Sequence, residues 1–201
     1  MPSDPPVFGQ TLPVEASPPT LRFLARRRSA SALGLGEPGP SKGELAHLLA
    51  LAARAPDHGK LAPWRFVILG GEAKARFVAR LEAIAAARPD AAKAAAKLGK
   101  IRAPPVTVAV VSRYVEGDIP MWEQRLSAGA VCMLLVLAAG AMGFGANWIT
   151  DWYAYDEAAL GLLALAGGER VAGFVHLGTP TEPPLERARP DVAALTSQWS
   201  G

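Results

Sequence analysis

From Leu126 to Thr150 the chain carries no charged side chain. An apolar run of this length either crosses a bilayer or fills the centre of a folded core. Its composition favours the core: it is rich in Ala and Gly, and Asn147 lies near its end. Gly140, Gly143 and Gly145 also divide it in two. The pattern predicts a buried helix over about 121–141, followed by a strand over 143–150. Pro120 lies at the helix start, and Glu123, Gln124 and Arg125 make its first turns polar. A helix that is apolar on all sides is hard to cover within one small subunit. It therefore predicts a homodimer with this helix at the interface.

The remaining elements follow from periodicity and punctuation. Residues 1–19 read as a flexible Pro-rich arm without a core-forming period. A short helix follows over 21–27, with Leu21, Leu24 and Ala25 as its stripe. Ser41 and Glu44 form a capping box for a helix to Ala53, with Leu45, Leu48, Leu49 and Ala52 on one face. Strands are predicted over 64–69, 106–112 and 170–177, the last stopped by Gly178-Thr179-Pro180. Helices are predicted over 72–87, 90–98 and 156–166. A Pro- and Arg-rich tail begins at about 181. Four strands among many helices describe a small covered sheet in one domain, residues 20–201 with the tail included.

Bulk properties exclude several functions. The 201 residues have a net charge of only +3 with interspersed signs, and no aromatic platform flanks the basic cluster at 26–28, so no nucleic-acid partner is expected. Residues 1–20 lack a basic and apolar leader pattern. The single cysteine, Cys132, excludes an internal disulfide and fits a reducing, cytoplasmic compartment. It lies in an apolar run, where a buried thiol is inert. The three histidines lack metal-ligand spacing, so no metal is expected. No G-x-G-x-x-G, G-x-x-x-x-G-K-[ST] or G-x-S-x-G motif is present.

Four constellations carry possible chemistry. Arg27-Arg28-Ser29 is either a solvated basic helix end or a phosphate site built from guanidinium forks and a hydroxyl. Arg54-Ala55-Pro56-Asp57-His58 is either a helix stop or a polar loop delivered to a buried strand at Trp64. Gly143 to Thr150 is either a glycine turn into a buried strand or a close backbone approach to a flat ligand. Arg187 and Arg189 are either solvated or close over an anion already held by Arg27.

In this order and spacing the motifs resemble those of the flavin-dependent nitroreductases, in particular a compact, YdjA-like subgroup. The matching residues are Arg27 to Ser31, Arg54 to His58, Pro63-Trp64-Arg65-Phe66, Trp122-Glu123-Gln124, Ser127-Ala128-Gly129, Gly143-Phe144-Gly145, Trp148 and Gly178-Thr179-Pro180. The resemblance implies an α+β fold, a three-layer αβα sandwich with a mainly antiparallel sheet, in an intertwined homodimer holding two FMN molecules. By that analogy Arg27, Arg28 and Ser29 hold the FMN phosphate and ribityl chain. Arg54 and His58 reach the flavin bound mainly by the other subunit. Trp148, Ile149 and Thr150 line the flavin, and Arg187 and Arg189 complete the phosphate site. Asp57, Lys60 and Ala62 depart from the Ser, Asn and Gln that relatives often carry before Pro-Trp.

The implied activity is an FMN-dependent NAD(P)H oxidoreductase acting on a nitroaromatic, quinone or similar small acceptor in a ping-pong cycle. No side chain is required as a covalent or acid–base catalyst. Lys60, Lys100 and Arg102 are candidates to stabilise reduced flavin. The alternative is a non-catalytic flavin- or anion-binding protein of the same fold.

Overall fold

A computed structural model describes residues 6–201; residues 1–5 of the predicted arm lie outside the described residues. Residues 6–17 are exposed and form neither helix nor strand. Seven helices follow: α1 Pro18–Arg26, α2 Lys42–Ala52, α3 Gly71–Ala86, α4 Ala91–Lys97, α5 Gly99–Arg102, α6 Met121–Ala141 and α7 Glu157–Gly161. Five strands alternate with them: β1 Leu35–Gly36, β2 Trp64–Gly70, β3 Val106–Ser112, β4 Gly145–Ile149 and β5 Arg170–Pro180.

All strand pairs are antiparallel. β5 pairs with β1, β3 and β4, and β2 closes the sheet beyond β3. Side chains alternate across the sheet, so each strand feeds two cores. Val108 and Val110 of β3 and Val175 and Leu177 of β5 pack with Leu48 of α2 and Leu135 of α6. On the other face, Ala109 and Phe174 pack with Leu81 of α3, Ile101 of α5 and Tyr153. The result is the expected helix–sheet–helix sandwich. Each fully buried Leu, Val or Phe contributes about 1.5–3 kcal/mol.

Local signals mostly hold. Ser41 Oγ accepts from the Glu44 amide at 3.3 Å, and Glu44 Oε2 accepts from the Ser41 amide at 2.8 Å, the predicted capping box. Asp156 Oδ1 accepts from Ala159 N at 3.1 Å and starts α7.

Several expectations need correction. The sheet has five strands rather than four, because Leu35–Gly36 pairs with Thr179 and Pro180. That pairing carries β5 through the triplet expected to stop it. The helix predicted to reach Ala166 ends at Gly161, and Ala164 adopts φ +48° in the loop that follows. The Leu21, Leu24 and Ala25 stripe of α1 is exposed within this chain; Phe23 is the residue that turns inward. The chain packs α6 against α2, β3, β4 and β5. It leaves Trp122 66% and Leu126 54% exposed.

Candidate functional site

Arg27 ends α1 in an extended conformation, which brings Arg28 and Ser29 past the helix terminus toward β4. Ala30 N donates to Ala146 O at 3.1 Å, and Asn147 Nδ2 donates to Ala30 O. The arginine segment is thus stitched to the strand that follows the glycine turn. A cavity of about 500 Å³ opens there, within the range of small-molecule sites. Arg22, Arg26, Arg27 and Arg28 line it, over an apolar floor that includes Val136 and Phe144. Among the described residues, none of these four guanidiniums is ion-paired with a carboxylate. Unpaired guanidiniums beside an apolar floor suit an anionic group attached to a flat apolar body.

The basic tail meets this cluster in the same chain. Arg28 Nε donates to Leu185 O at 2.7 Å, and Arg189 Nη2 donates to Arg27 O at 3.3 Å. Arg189 also holds Glu186 at 2.9 Å. The Arg187 amide donates to the same carboxylate at 2.7 Å. That amide first, with Arg189 and Arg28 nearby, holds the Glu186 carboxyl below its usual range. Arg189 is therefore turned onto the chain's own backbone and Glu186. Arg27 Nη1 reaches Ser29 Oγ at 3.4 Å.

Arg54 and His58 lie elsewhere. Arg54 borders a separate groove of about 590 Å³ with Leu51, Leu134 and Leu137. Phe23 forms the wall shared by this groove and the arginine cavity. His58 opens a short turn, His58–Lys60, and its Nδ1 lies 2.7 Å from Glu123 Oε2 at the start of α6. Asp57 braces that turn: its carboxylate accepts from Leu61 N at 3.2 Å and Ala62 N at 2.8 Å.

Trp148, Ile149 and Thr150 do not share one face. Trp148 lies across Gly173 of β5, and its Nε1 donates to Ala172 O at 3.3 Å. Ile149 borders a cavity of about 170 Å³ with Ser31, Leu33, Lys100 and Asn147. Thr150 Oγ1 accepts from the Tyr155 hydroxyl at 3.0 Å. Of the three basic candidates, Lys100 borders this cavity and meets Asp151 at 3.3 Å. Arg102 instead holds Glu82, and Lys60 sits in the left-handed region at φ +55°.

Two titratable groups are buried in the core of the domain. His176 is fully buried, with Nδ1 2.8 Å from Thr107 Oγ1. Burial first, then the charges of Lys74 and Lys100, pull its pKa down to about 3. Burial drives Cys132 up to about 12, as expected for an inert thiol. Asn147 is a further candidate that the sequence motifs do not single out. The residue borders the Lys100 cavity, and its buried Oδ1 has no partner among the described residues. Its position near the end of a charge-free run was the one signal available. The described residues contain no cluster of metal-ligating side chains.

The antiparallel five-stranded sandwich and the arginine cavity at its edge define a nitroreductase-type fold. The model of the Nitroreductase family matches residues 24–179, and the chain belongs to that family. YdjA of Escherichia coli (strain K12), named as a candidate NAD(P)H nitroreductase, is 37% identical over 162 residues, 80% of this chain and 87% of YdjA. A nitroreductase-like family protein from Bacillus cereus superposes with a TM-score of 0.81 at 21% identity, covering 95% of this chain and all of that one. A candidate nitroreductase from Desulfovibrio desulfuricans, solved in complex with FMN, superposes with a TM-score of 0.70 at 21% identity over 91% of this chain and 98% of its own.

Proposed function

We propose that this protein is an FMN-dependent NAD(P)H oxidoreductase. The observation that carries the reading is the cavity lined by Arg22, Arg26, Arg27 and Arg28, none of them ion-paired with a carboxylate among the described residues. Family membership and the names of its relatives support it. In this reading Arg27, Arg28 and Ser29 hold the FMN phosphate and ribityl chain, with Arg187 and Arg189 in the tail beside them. The Trp148–Thr150 strand end lies along the ring. Bound FMN would supply the redox chemistry, hydride transfer from NAD(P)H to a nitroaromatic or quinone in alternating half-reactions. The protein's part is to bind, orient and counter charge. Lys100, bordering the small cavity beside Ile149, opposes the negative charge that accompanies reduction.

The domain runs from α1, which begins at Pro18 rather than beyond residue 20, to residue 201 with its tail, and residues 6–17 precede it as an added arm. The functional unit is a homodimer, supported by the exposure of Trp122 and Leu126 on α6 and of Leu21 on α1. Arg54, which borders the groove on the other side of Phe23 from the arginine cavity, and His58 serve the flavin of the second subunit. The compartment is the cytoplasm, in keeping with a lone buried thiol, Cys132.

The test is an absorbance spectrum of the purified protein, followed by anaerobic addition of NADH or NADPH. A bound flavin that bleaches on addition and recovers with a nitroaromatic or quinone is the expected result. A protein without flavin, or with flavin that neither nicotinamide reduces, would overturn the proposal.

A further inference from the structure

Asparagine is depleted from strands, yet Asn147 sits in the middle of β4, between Ala146 and Trp148. Ala146 packs with Leu177 in the first core, so Asn147 faces the opposite side of the sheet. There it is the register partner of His176 on β5, and His176 is the register partner of Thr107 on β3. Directly opposed residues of antiparallel strands share a face, with Cβ atoms about 4.5–5.5 Å apart. Thr107, His176 and Asn147 therefore form a polar row across three strands, beside the apolar Ala109 and Phe174. Beyond Asn147 the row reaches the arginine segment. Asn147 Nδ2 donates to Ala30 O, and the Ala30 amide donates to Ala146 O at 3.1 Å. Ala30 thus gives both of its main-chain groups to β4, immediately after Arg27-Arg28-Ser29.

The bonds within the row have one complementary direction. Asn147 must aim Nδ2 at Ala30 O, because the reversed amide would set two oxygens against each other. Its Oδ1 only accepts, and it is buried with no partner among the described residues. His176 Nε2 is likewise buried and without a partner there. The imidazole is fully buried, and that burial, with the charges of Lys74 and Lys100, keeps it neutral near pH 7. A neutral ring carries one N–H. When Thr107 Oγ1 donates to Nδ1 across their 2.8 Å contact, that N–H lies at Nε2 and is the donor that Asn147 Oδ1 lacks. The opposite tautomer leaves two buried acceptors on paired residues, each with its desolvation penalty. The Tyr153 hydroxyl, also buried without a partner on this face, is the competing group for Nε2.

We propose that Asn147 is a positioning residue for the anion site: it fixes the main chain at Ala30 so that Arg27, Arg28 and Ser29 keep their aim, and it is itself held by the Nε2–H of His176, which Thr107 orients. This inference rests on the proposed oxidoreductase reading, in which the anion is the FMN phosphate.

The test combines FMN titration, amide hydrogen exchange and two-bond 1H–15N spectra of the imidazoles in the full-length protein. The chain has only three histidines, and His176→Gln assigns the signal by subtraction. The wild type should show an Nε2–H pattern at His176, and Tyr153→Phe should leave it unchanged. Asn147→Ala should speed exchange of the Ala30 amide and weaken FMN about five- to tenfold. Exchange at Val110 in β3 should stay as it was, which separates loss of position from loss of fold. His176→Leu should weaken FMN in the same direction. His176→Gln, whose amide can accept from Thr107 and donate to Asn147, should keep FMN within about twofold of wild type. An Nδ1–H pattern in the wild type overturns the proposal and leaves the oxidoreductase reading standing. So does unchanged Ala30 exchange and FMN affinity in Asn147→Ala, or an equal loss in His176→Leu and His176→Gln. A wild type that binds no FMN overturns the oxidoreductase reading, and the tautomer and the Ala30 exchange, which need no flavin, still decide the row.

Discussion

Arg28 donates its Nε proton to the main-chain oxygen of Leu185 across 2.7 Å, joining residues 157 apart in sequence. The guanidinium has four further N–H groups, so it can hold the tail and an anion together. Arg27 spends one contact on Ser29 and supplies its own carbonyl to Arg189. The segment is therefore both a tail anchor and a candidate anion site.

Replacing both Arg27 and Arg28 with Ala should release FMN. Each guanidinium–phosphate contact contributes about 1.5–3 kcal/mol, so the double variant should bind at least about 100-fold more weakly. Flavin fluorescence after gel filtration measures this. Arg28→Ala alone should also free the tail, seen as faster proteolysis after residue 181, whereas Arg27→Ala should not. Full flavin content in the double variant would refute the phosphate assignment.

Gly173 gives Trp148 its seat. A Cβ at Gly173 would lie 1.9 Å from Trp148 Nε1, so Gly173→Ala must expel the indole and break its bond to Ala172 O. A forced rearrangement of this kind costs about 1–3 kcal/mol. A lower urea midpoint with shifted tryptophan fluorescence is the expected outcome. Gly129→Ala is the control, because its Cβ would meet the same ring at an ordinary 3.8 Å. Equal midpoints for the two variants would show that the ring is not seated there.

Much of this was legible in the chain, for physical reasons. The Ser41–Glu44 box, the strand of Val106–Ser112 and the long apolar α6 are local or periodic signals, and each appears where expected. β1 was not legible, because a two-residue strand has no period and exists only through its partner Thr179–Pro180. The arginine cluster was legible as charge, but its contacts to Leu185 O and its stitch through Ala30 to Ala146 O were not. Backbone acceptors leave no trace in composition. Trp148 shows the same limit: the flat-ligand reading of 143–150 rests on its glycines, and nothing local shows that Gly173 lies beneath the Trp148 ring.

His176 should set much of the acid sensitivity of the fold. Its folded pKa of about 3 lies below its unfolded value near 6.5. Between those values the unfolded chain binds the extra proton, so stability falls as pH drops from 6.5 toward 3, by at most about 1.4 kcal/mol per pH unit from this group. Lys74 follows the same sign at higher pH. Its folded pKa of about 8, lowered by burial, lies below the unfolded 10.5, so stability rises as pH climbs through that window. Urea unfolding at a series of pH values measures both. His176→Gln should flatten the slope between pH 3 and 6.5 and leave the alkaline limb unchanged. An unaltered acid slope in that variant would remove His176 from the account.

In the proposed oxidoreductase, Lys100 is the candidate cation to favour reduced flavin. It borders the cavity shared with Ser31, Asn147 and Ile149, and Asp151 holds its ammonium at 3.3 Å. Arg102 is committed to Glu82, on the outer side of the helix layer. Lys60 belongs to the clamped turn beside α6. A positive charge within several ångströms of a developing negative charge is worth about 1–2 kcal/mol at the effective dielectric of a protein. For a two-electron couple that corresponds to roughly 20–40 mV. Lys100→Met should therefore make the midpoint potential of the bound flavin more negative by about that amount, read by dye-coupled anaerobic titration. Arg102→Met should leave the potential within a few millivolts, since Arg102 does not border that cavity. A shift in Arg102→Met without one in Lys100→Met would reverse the assignment. A shift in neither would remove both side chains from the account.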